Sequence, residues 1–113
     1  MNELIDTLNI EQCNLVILHD GKIHTFDGAG IRGLYNLQKE EPEMLYHSKL
    51  AAKAVGRTAA KVMVDCNVTE VYAYVISQQA YDRLTDAGIK VSYHDIVDHA
   101  RFLKIWEEMG EIK

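Results

Sequence analysis

The hydrophobic pattern of the first third of the chain predicts a helix followed by a β-hairpin. Residues 14–18 include a continuous apolar run, which is typical of a strand buried on both faces. Asp20-Gly21 follows, a dipeptide that tolerates positive φ at both turn positions, so residues 22–26 are predicted to return as the antiparallel partner. Upstream, Asn2 can cap a short helix whose apolar side is formed by Leu4, Ile5 and Leu8.

The middle of the chain has apolar residues at helical spacing. A short helix is predicted from residue 31 to residue 37, before the acidic segment that leads to Pro42. A longer, central helix is predicted over residues 47–65, because its apolar positions form a wide stripe: Leu50, Ala51, Ala54, Val55, Thr58, Val62 and Met63.

The last third of the chain alternates strands and helices. Residues 71–76 are β-branched and aromatic and predict a second buried strand, after which Ser77 is the N-cap of a helix that Gly88 ends. Residues 89–93 alternate apolar and polar positions, which favours a short strand near a sheet edge. Asp95 is then predicted to cap a final helix.

This order of elements predicts a single α/β domain covering residues 1–113. Helices that alternate with strands imply right-handed crossovers and parallel pairing in the second half, while the hairpin adds an antiparallel strand. The expected architecture has three layers, α/β/α, around a mixed sheet of about four to five strands that starts with the hairpin.

Composition and charge narrow the classes of partner. The net charge of −5 argues against nucleic acid or an anionic membrane surface, because both require a basic protein surface. The chain has no run of about 18 apolar residues and no signal-peptide pattern, so a cytoplasmic domain is expected, with small molecules or proteins as partners. Cys13 and Cys66 are too few for a disulfide framework, and packing roles are predicted for both.

One candidate ligand site is the loop Gly28-Ala29-Gly30-Ile31-Arg32-Gly33, which matches G-x-G-x-x-G between a predicted strand and a helix. In one interpretation the amides of Gly30 to Gly33 hold a nucleotide phosphate; in the other, Gly28 and Gly30 only permit a turn and close packing. The half-polar hairpin strand before the loop favours the turn, since the dinucleotide motif requires a buried parallel strand there.

A second candidate is a row of cations at four-residue spacing on the predicted long helix: Lys49, Lys53, Arg57 and Lys61. The row is either a solvated face, or Lys49 and Lys53 bind a phosphate or carboxylate near the helix N-terminus. A parallel row of small residues predicts close contact with another helix, within the domain or across a dimer: Ala52, Gly56 and Ala60.

A third candidate lies at two predicted helix starts, His47-Ser48-Lys49 and Ser77-Gln78-Gln79. Both are expected at the carboxyl end of the sheet, where open α/β sheets bind ligands. The side chains of His47, Ser48, Ser77, Gln78 and Gln79 are therefore pocket candidates, with helix capping as the alternative role.

Metal binding and nucleophilic catalysis have weaker signals. His94 with Asp98 and Asp95 with His99 have i, i+4 spacing, but two unlinked pairs at an exposed helix start are predicted to be surface groups. No Ser-His-Asp or Cys-His arrangement can be assembled from the sequence. Neither a metal nor a cofactor is predicted.

Four segments together resemble the domain of unknown function 1893 family: residues 15–21, 30–35, 51–60 and 71–77. The resemblance implies a bacterial protein with a fold similar to the cytidine deaminases and without a known biochemical activity. Two departures from the family pattern occur. Ala52 stands before Lys53 in place of an acidic residue, and residues 100–106 lack the family's Asn-Arg pair and Cys-Pro. Sites that depend on those groups are not expected.

Deaminases hold zinc through an H-x-E sequence at the start of the first core helix and P-C-x-x-C at the start of the next. The corresponding stretches look like residues 47–49 and 77–80. By this resemblance His47 is the one ligand retained, Lys49 replaces the glutamate, and both cysteines are absent. Zinc-dependent deamination is therefore not expected.

Three hypotheses for function follow. The first is a deaminase-like domain without zinc that binds a small anionic or nucleotide-like ligand between residues 47–49 and 77–79, with help from Lys53. The second is a metal-independent enzyme of unknown reaction that uses His47 or Lys53. The third is a homo-oligomeric scaffold that associates through the small-residue row and through exposed Phe102 and Trp106.

Overall fold

A computed structural model gives the fold and describes residues 2–10, 14–26 and 32–108. The elements in chain order are α1 (Asn2–Ile10), β1 (Leu15–His19), β2 (Lys22–Phe26), α2 (Arg32–Glu40), a 3-10 turn (Pro42–Met44), β3 (Lys49–Val55), α3 (Arg57–Asp65), β4 (Glu70–Ser77), α4 (Gln78–Asp86), β5 (Lys90–Val97) and α5 (His99–Glu108).

The five strands form one mixed sheet in the order β2-β1-β3-β4-β5. β1 pairs antiparallel with both β2 and β3, whereas β3, β4 and β5 are parallel. The predicted hairpin is confirmed: its turn residues Asp20 and Gly21 have φ values of 51° and 73°, the conformation that this dipeptide accommodates. The prediction of an α/β domain that starts with an antiparallel hairpin is confirmed as well.

Helices cover both faces of the sheet, which confirms the three predicted layers. On one face, Leu4 and Leu8 of α1 pack against Val16 and Ala51. On the other face, α2, α3 and α4 contribute to a larger cluster with strand residues such as Ile17, and their buried side chains include Leu34, Leu37, Val62, Met63, Ala80 and Leu84. The interior β3 is therefore buried on both sides.

The predicted helix over residues 47–65 is wrong. Residues 49–55 form β3, Gly56 is extended, and α3 occupies only Arg57–Asp65. A short, mostly apolar segment fits a buried strand and a buried helix equally well, and the alanines and lysines of this segment favour a helix by propensity. Hydrogen-bonded pairing with β1 on one side and β4 on the other stabilises the strand conformation of this segment.

The C-terminal region also differs from the prediction. β5 lies at the sheet edge as predicted, but it continues to Val97, so Asp95 lies in the strand and does not cap a helix. Asp98 has that role, since its Oδ1 accepts a hydrogen bond from the Arg101 amide at 2.7 Å. No helix in the described part of the chain is long and apolar enough to cross a membrane.

Candidate functional site

The carboxyl end of the parallel strands brings the starts of three helices together. α3, α4 and α5 begin directly after β3, β4 and β5, respectively. Because β1 is antiparallel to β3, Asn14 at its amino end lies beside Lys53, whose amide donates to the Asn14 carbonyl at 3.2 Å. Open α/β sheets bind ligands at this end.

A cavity of about 170 Å³ opens at this end of the sheet. Its walls come from β1, β3, α3 and α5, with one residue from α2. Most of the described lining residues are apolar: Leu15, Leu34, Ala52, Ala54, Gly56, Ala59, Met63, Phe102 and Leu103, with Asn14, Arg57, Thr58 and His99 as the polar members.

Gly56 allows α5 to close one side of this cavity. A Cβ at Gly56 would lie 2.7 Å from Cε2 of Phe102, a side chain that is only 1% exposed. The backbone of Gly56 has a φ of −101°, which other residues adopt without strain, so the glycine is required for space and not for conformation.

His99 is the imidazole in the cavity wall. Its Nδ1 is buried and has no hydrogen-bond partner in the described part of the chain. A buried polar atom left without a partner costs about 1–3 kcal/mol, so such atoms are uncommon in folded proteins and call for an explanation.

A second, open concavity adjoins the cavity between α3 and α4. It is lined by Arg57, Thr58, Lys61, Gln79 and Arg83, and we call it the basic groove. Arg57 and Thr58 also line the cavity, so the two spaces adjoin at these residues. No ion pair joins the three cations to a carboxylate among the residues described.

The N-terminus of α3 adds to the positive potential of the basic groove. Its N-cap is Gly56, which has no side chain to accept a hydrogen bond from the first-turn amides. By contrast, the N-terminus of α4 is capped by Ser77, whose Oγ accepts from the Ala80 amide at 3.1 Å. An uncapped helix N-terminus beside three cations favours an anion.

The two predicted helix starts do not form one pocket. Residues 47–49 precede and begin β3, whereas residues 77–79 follow the end of the parallel strand β4. Lys49 pairs with Glu70, seven residues before Ser77, so the two groups are separated by about 20 Å at a rise of about 3.3 Å per residue. The prediction that they face each other is wrong. Residues 47–49 do not begin a helix, as the deaminase correspondence required, whereas residues 77–80 do begin α4.

His47 and Ser48 lie in the connection before β3. His47 is exposed, has a φ of 55°, and stacks on Tyr46 with ring centroids 3.9 Å apart. Ser48 is 1% exposed, and its Oγ donates to the Leu45 carbonyl at 2.7 Å. Ser48 therefore stabilises the turn before β3.

The four-residue rows of cations and of small residues do not exist as helix faces. Lys49 and Lys53 belong to β3, whereas Arg57 and Lys61 belong to α3. The Lys49 ammonium lies 3.7 Å from a carboxylate oxygen of Glu70.

The small-residue row is divided in the same way. Ala52 lies in β3, Gly56 precedes α3, and Ala60 lies within α3. Ala52 and Ala60 are both in the core, so they are not available for the dimer contact that was one of the two predicted alternatives. At Gly56 the predicted close contact with another helix occurs within the domain, against Phe102 of α5. Phe102, which was expected on the surface, is buried, and the side chain of Trp106 lies outside the described part.

The second predicted helix start is confirmed. Ser77 caps α4, and Nε2 of the Gln78 side chain donates to Oδ1 of Asp82 at 2.9 Å. Gln79 reaches the basic groove. Of the five pocket candidates, Gln79 is the one that lines the basic groove together with its three cations.

Other predictions fall on different parts of the chain. Gly28 and Gly30 lie outside the described residues, as does Cys13. His94 and Asp95 lie in β5, so their i, i+4 spacing from Asp98 and His99 does not fall on a helix as predicted. His94, Asp95 and Asp98 are exposed, as predicted for surface groups, whereas His99 is not. Among the described residues, no three His, Cys, Asp or Glu side chains come together as metal ligands.

Cys66 is buried at the end of α3, as its predicted packing role requires. Burial raises the pKa of its thiol, and the nearby Asp65 carboxylate raises it further. Both effects oppose formation of the nucleophilic thiolate.

Sequence reasoning missed Arg83 and did not assign His99 to a cavity. Arg83 lies in the last turn of α4 and has no motif around it. A signal for the site was present at Gly56-Arg57-Thr58: with β3 recognised as a strand, this tripeptide marks a strand-to-helix junction at the carboxyl end of the sheet.

The comparisons with known proteins agree with the fold. A crystal structure of a DUF1893 family protein (TM1506) from Thermotoga maritima is similar to this chain with a TM-score of 0.74 and 16% identity, over 96% of this chain and 88% of that one. No curated protein matches. The sequence profile described as TM1506, domain of unknown function (DUF1893), matches residues 3–101. The chain therefore belongs to the DUF1893 family.

Proposed function

We propose that this protein is a binding domain for a small anionic ligand, a phosphate or carboxylate compound, held in the basic groove. The observation that carries the proposal is the set of three cations, Arg57, Lys61 and Arg83, around an open concavity at the carboxyl end of the sheet. Their positive charge is concentrated on a molecule whose net charge is −5.

The chemistry of the groove suits such a ligand. Arginine donates paired hydrogen bonds to phosphate or carboxylate oxygens, and Lys61 adds a point charge. Gln79 and Thr58 supply neutral polar groups, and the uncapped first turn of α3 supplies backbone amides. Lys49 lies at the opposite end of β3 and has no part in this proposal.

Isothermal titration with inorganic pyrophosphate at low ionic strength tests the proposal. We expect binding that weakens about tenfold in Arg83→Gln, because one charge-assisted contact is lost, and that weakens as salt is added. Lys61→Gln should weaken it as well.

The matched controls change the net charge equally at other surfaces. Arg101→Gln in α5 and Lys90→Gln at the amino end of β5 both replace exposed cations and should leave pyrophosphate affinity unchanged. Absence of pyrophosphate binding, or equal weakening by the control variants, would contradict the proposal.

We also propose that copies of the chain associate through exposed aromatic residues of β4 and β5. Tyr74 is 43% exposed and stacks on His94 with centroids 4.7 Å apart, so both rings lie on the same face of the sheet. Exposed aromatics are enriched at protein interfaces.

Sedimentation velocity over a broad concentration range tests this association. Dimers should form in the wild type and be lost in Tyr74→Ser, while Tyr46→Ser, which changes a tyrosine that is 51% exposed in the turn before β3, should leave them intact. A monomer at every concentration would rule out self-association.

A further inference from the structure

The cavity beside the basic groove has the size and the lining to hold one part of a ligand, separate from the anionic group in the groove. It is mostly apolar, and its volume is about 170 Å³. An apolar protein cavity of about 150 Å³ binds benzene, so this space accommodates one six-membered ring.

His99 indicates that a ring bound in the cavity carries a hydrogen-bonding atom on its edge. Its buried Nδ1 has no partner in the described part of the chain, although the residue lines the cavity. We assign the missing hydrogen bond to a polar atom on the edge of a ring bound in the cavity. The imidazole would have to turn about its Cβ–Cγ bond, which exchanges Nδ1 and Cδ2, to present that nitrogen to the ring. A neutral imidazole has one donor and one acceptor nitrogen, and it therefore suits a ring edge that carries either group.

The residues that line both spaces limit how the ring is connected to the anionic group. Arg57 and Thr58 line the cavity and the basic groove together, so a ligand whose ring lies beside His99 has its anionic group next to Arg57. Resting on the proposed anion binding, we infer that the ligand is a phosphorylated compound with a single polar heteroaromatic ring, the ring in the cavity and the phosphate in the basic groove.

Two probes that differ by the ring test this inference. Uridine 5′-monophosphate carries one pyrimidine ring with donors and acceptors on its edge, and ribose 5-phosphate lacks the ring. By isothermal titration with the full chain, uridine 5′-monophosphate should bind at least about tenfold more tightly than ribose 5-phosphate, because burial of the ring adds to binding.

Two variants assign the difference to the cavity. His99→Phe keeps a planar aromatic ring, somewhat larger than the imidazole and without nitrogen, and we expect it to weaken uridine 5′-monophosphate binding about tenfold while ribose 5-phosphate binding is unaffected. Ala54→Leu places a larger side chain in the cavity wall, and it should reduce the nucleotide's affinity to that of ribose 5-phosphate. Circular dichroism and thermal unfolding establish that each variant is folded.

The outcomes separate this inference from the proposed function. Equal affinities for the two probes, or equal weakening of both by His99→Phe, would overturn the inference and leave anion binding in place. Pyrophosphate binding without binding of either probe would overturn it too. If none of the three compounds binds, both the inference and the proposed function fail.

Discussion

At the scale of single residues, the chemistry of a side chain predicts its role where that role depends on near neighbours in sequence. Ser77 was identified as an N-cap from its position before a helical pattern, and its Oγ accepts from the Ala80 amide three residues later. His99 shows the limit of such reasoning, because the cavity around it is formed by residues far away in sequence.

The Ser77 cap has a measurable effect on stability. Ser77→Ala should lower the free energy of unfolding by about 1 kcal/mol, since an amide of the first turn of α4 loses its acceptor in a buried position. Urea denaturation measures the change. Ser92→Ala, which changes an exposed serine of β5, is the control and should have little effect; equal destabilisation by the two variants would contradict the capping role.

At the scale of secondary-structure elements, a segment was predicted correctly where its residue pattern distinguishes a strand from a helix. The hairpin has its turn dipeptide, and the strand over Glu70–Ser77 has β-branched and aromatic residues, so both were predicted. β3 is rich in alanine and lysine and buried on both faces, and its pattern indicated a helix instead.

Contact between two elements, α5 and the end of β3, supplies a further prediction. Gly56→Ala places a Cβ against the Phe102 ring, and overpacking of this kind costs about 1–3 kcal/mol. Phe102→Leu also destabilises the protein by itself, but in the double variant the costs should be less than additive because the smaller side chain leaves room for the Cβ.

A double-mutant cycle by urea denaturation measures this coupling. Gly88→Ala serves as a comparison: Gly88 has open space around its Cα but a φ of 81°, so its substitution is strained for a conformational reason. Its cost should add fully to that of Phe102→Leu. If the costs of Gly56→Ala and Phe102→Leu in the free energy of unfolding were also fully additive, the Phe102 ring would not be the reason for a glycine at position 56.

At the scale of the whole molecule, the direction of each strand decides which residues share a site. Placing residues 49–55 in a strand moved His47 and Ser48 to the amino end of the sheet and brought Arg57 and Thr58 to the carboxyl end. The basic groove then combines cations from α3 and α4, two helices that flank β4 in sequence. One wrong element was therefore enough to displace most of the predicted site.

The sequence by itself determined the α/β class, the hairpin, four of the five strands, the helices after β4 and β5, and membership of a family, because each depends on local patterns or on residue identity. Only the tertiary structure decided that residues 49–55 are a strand, since neighbouring strands supply the hydrogen bonds that its apolar run leaves open. The cavity and the basic groove also depend on tertiary structure. Parallel strands place the starts of α3 and α5, with Arg57 and His99, at one end of the sheet, and the packing of α3 against α4 brings Arg83 beside Arg57, relations that no local pattern contains.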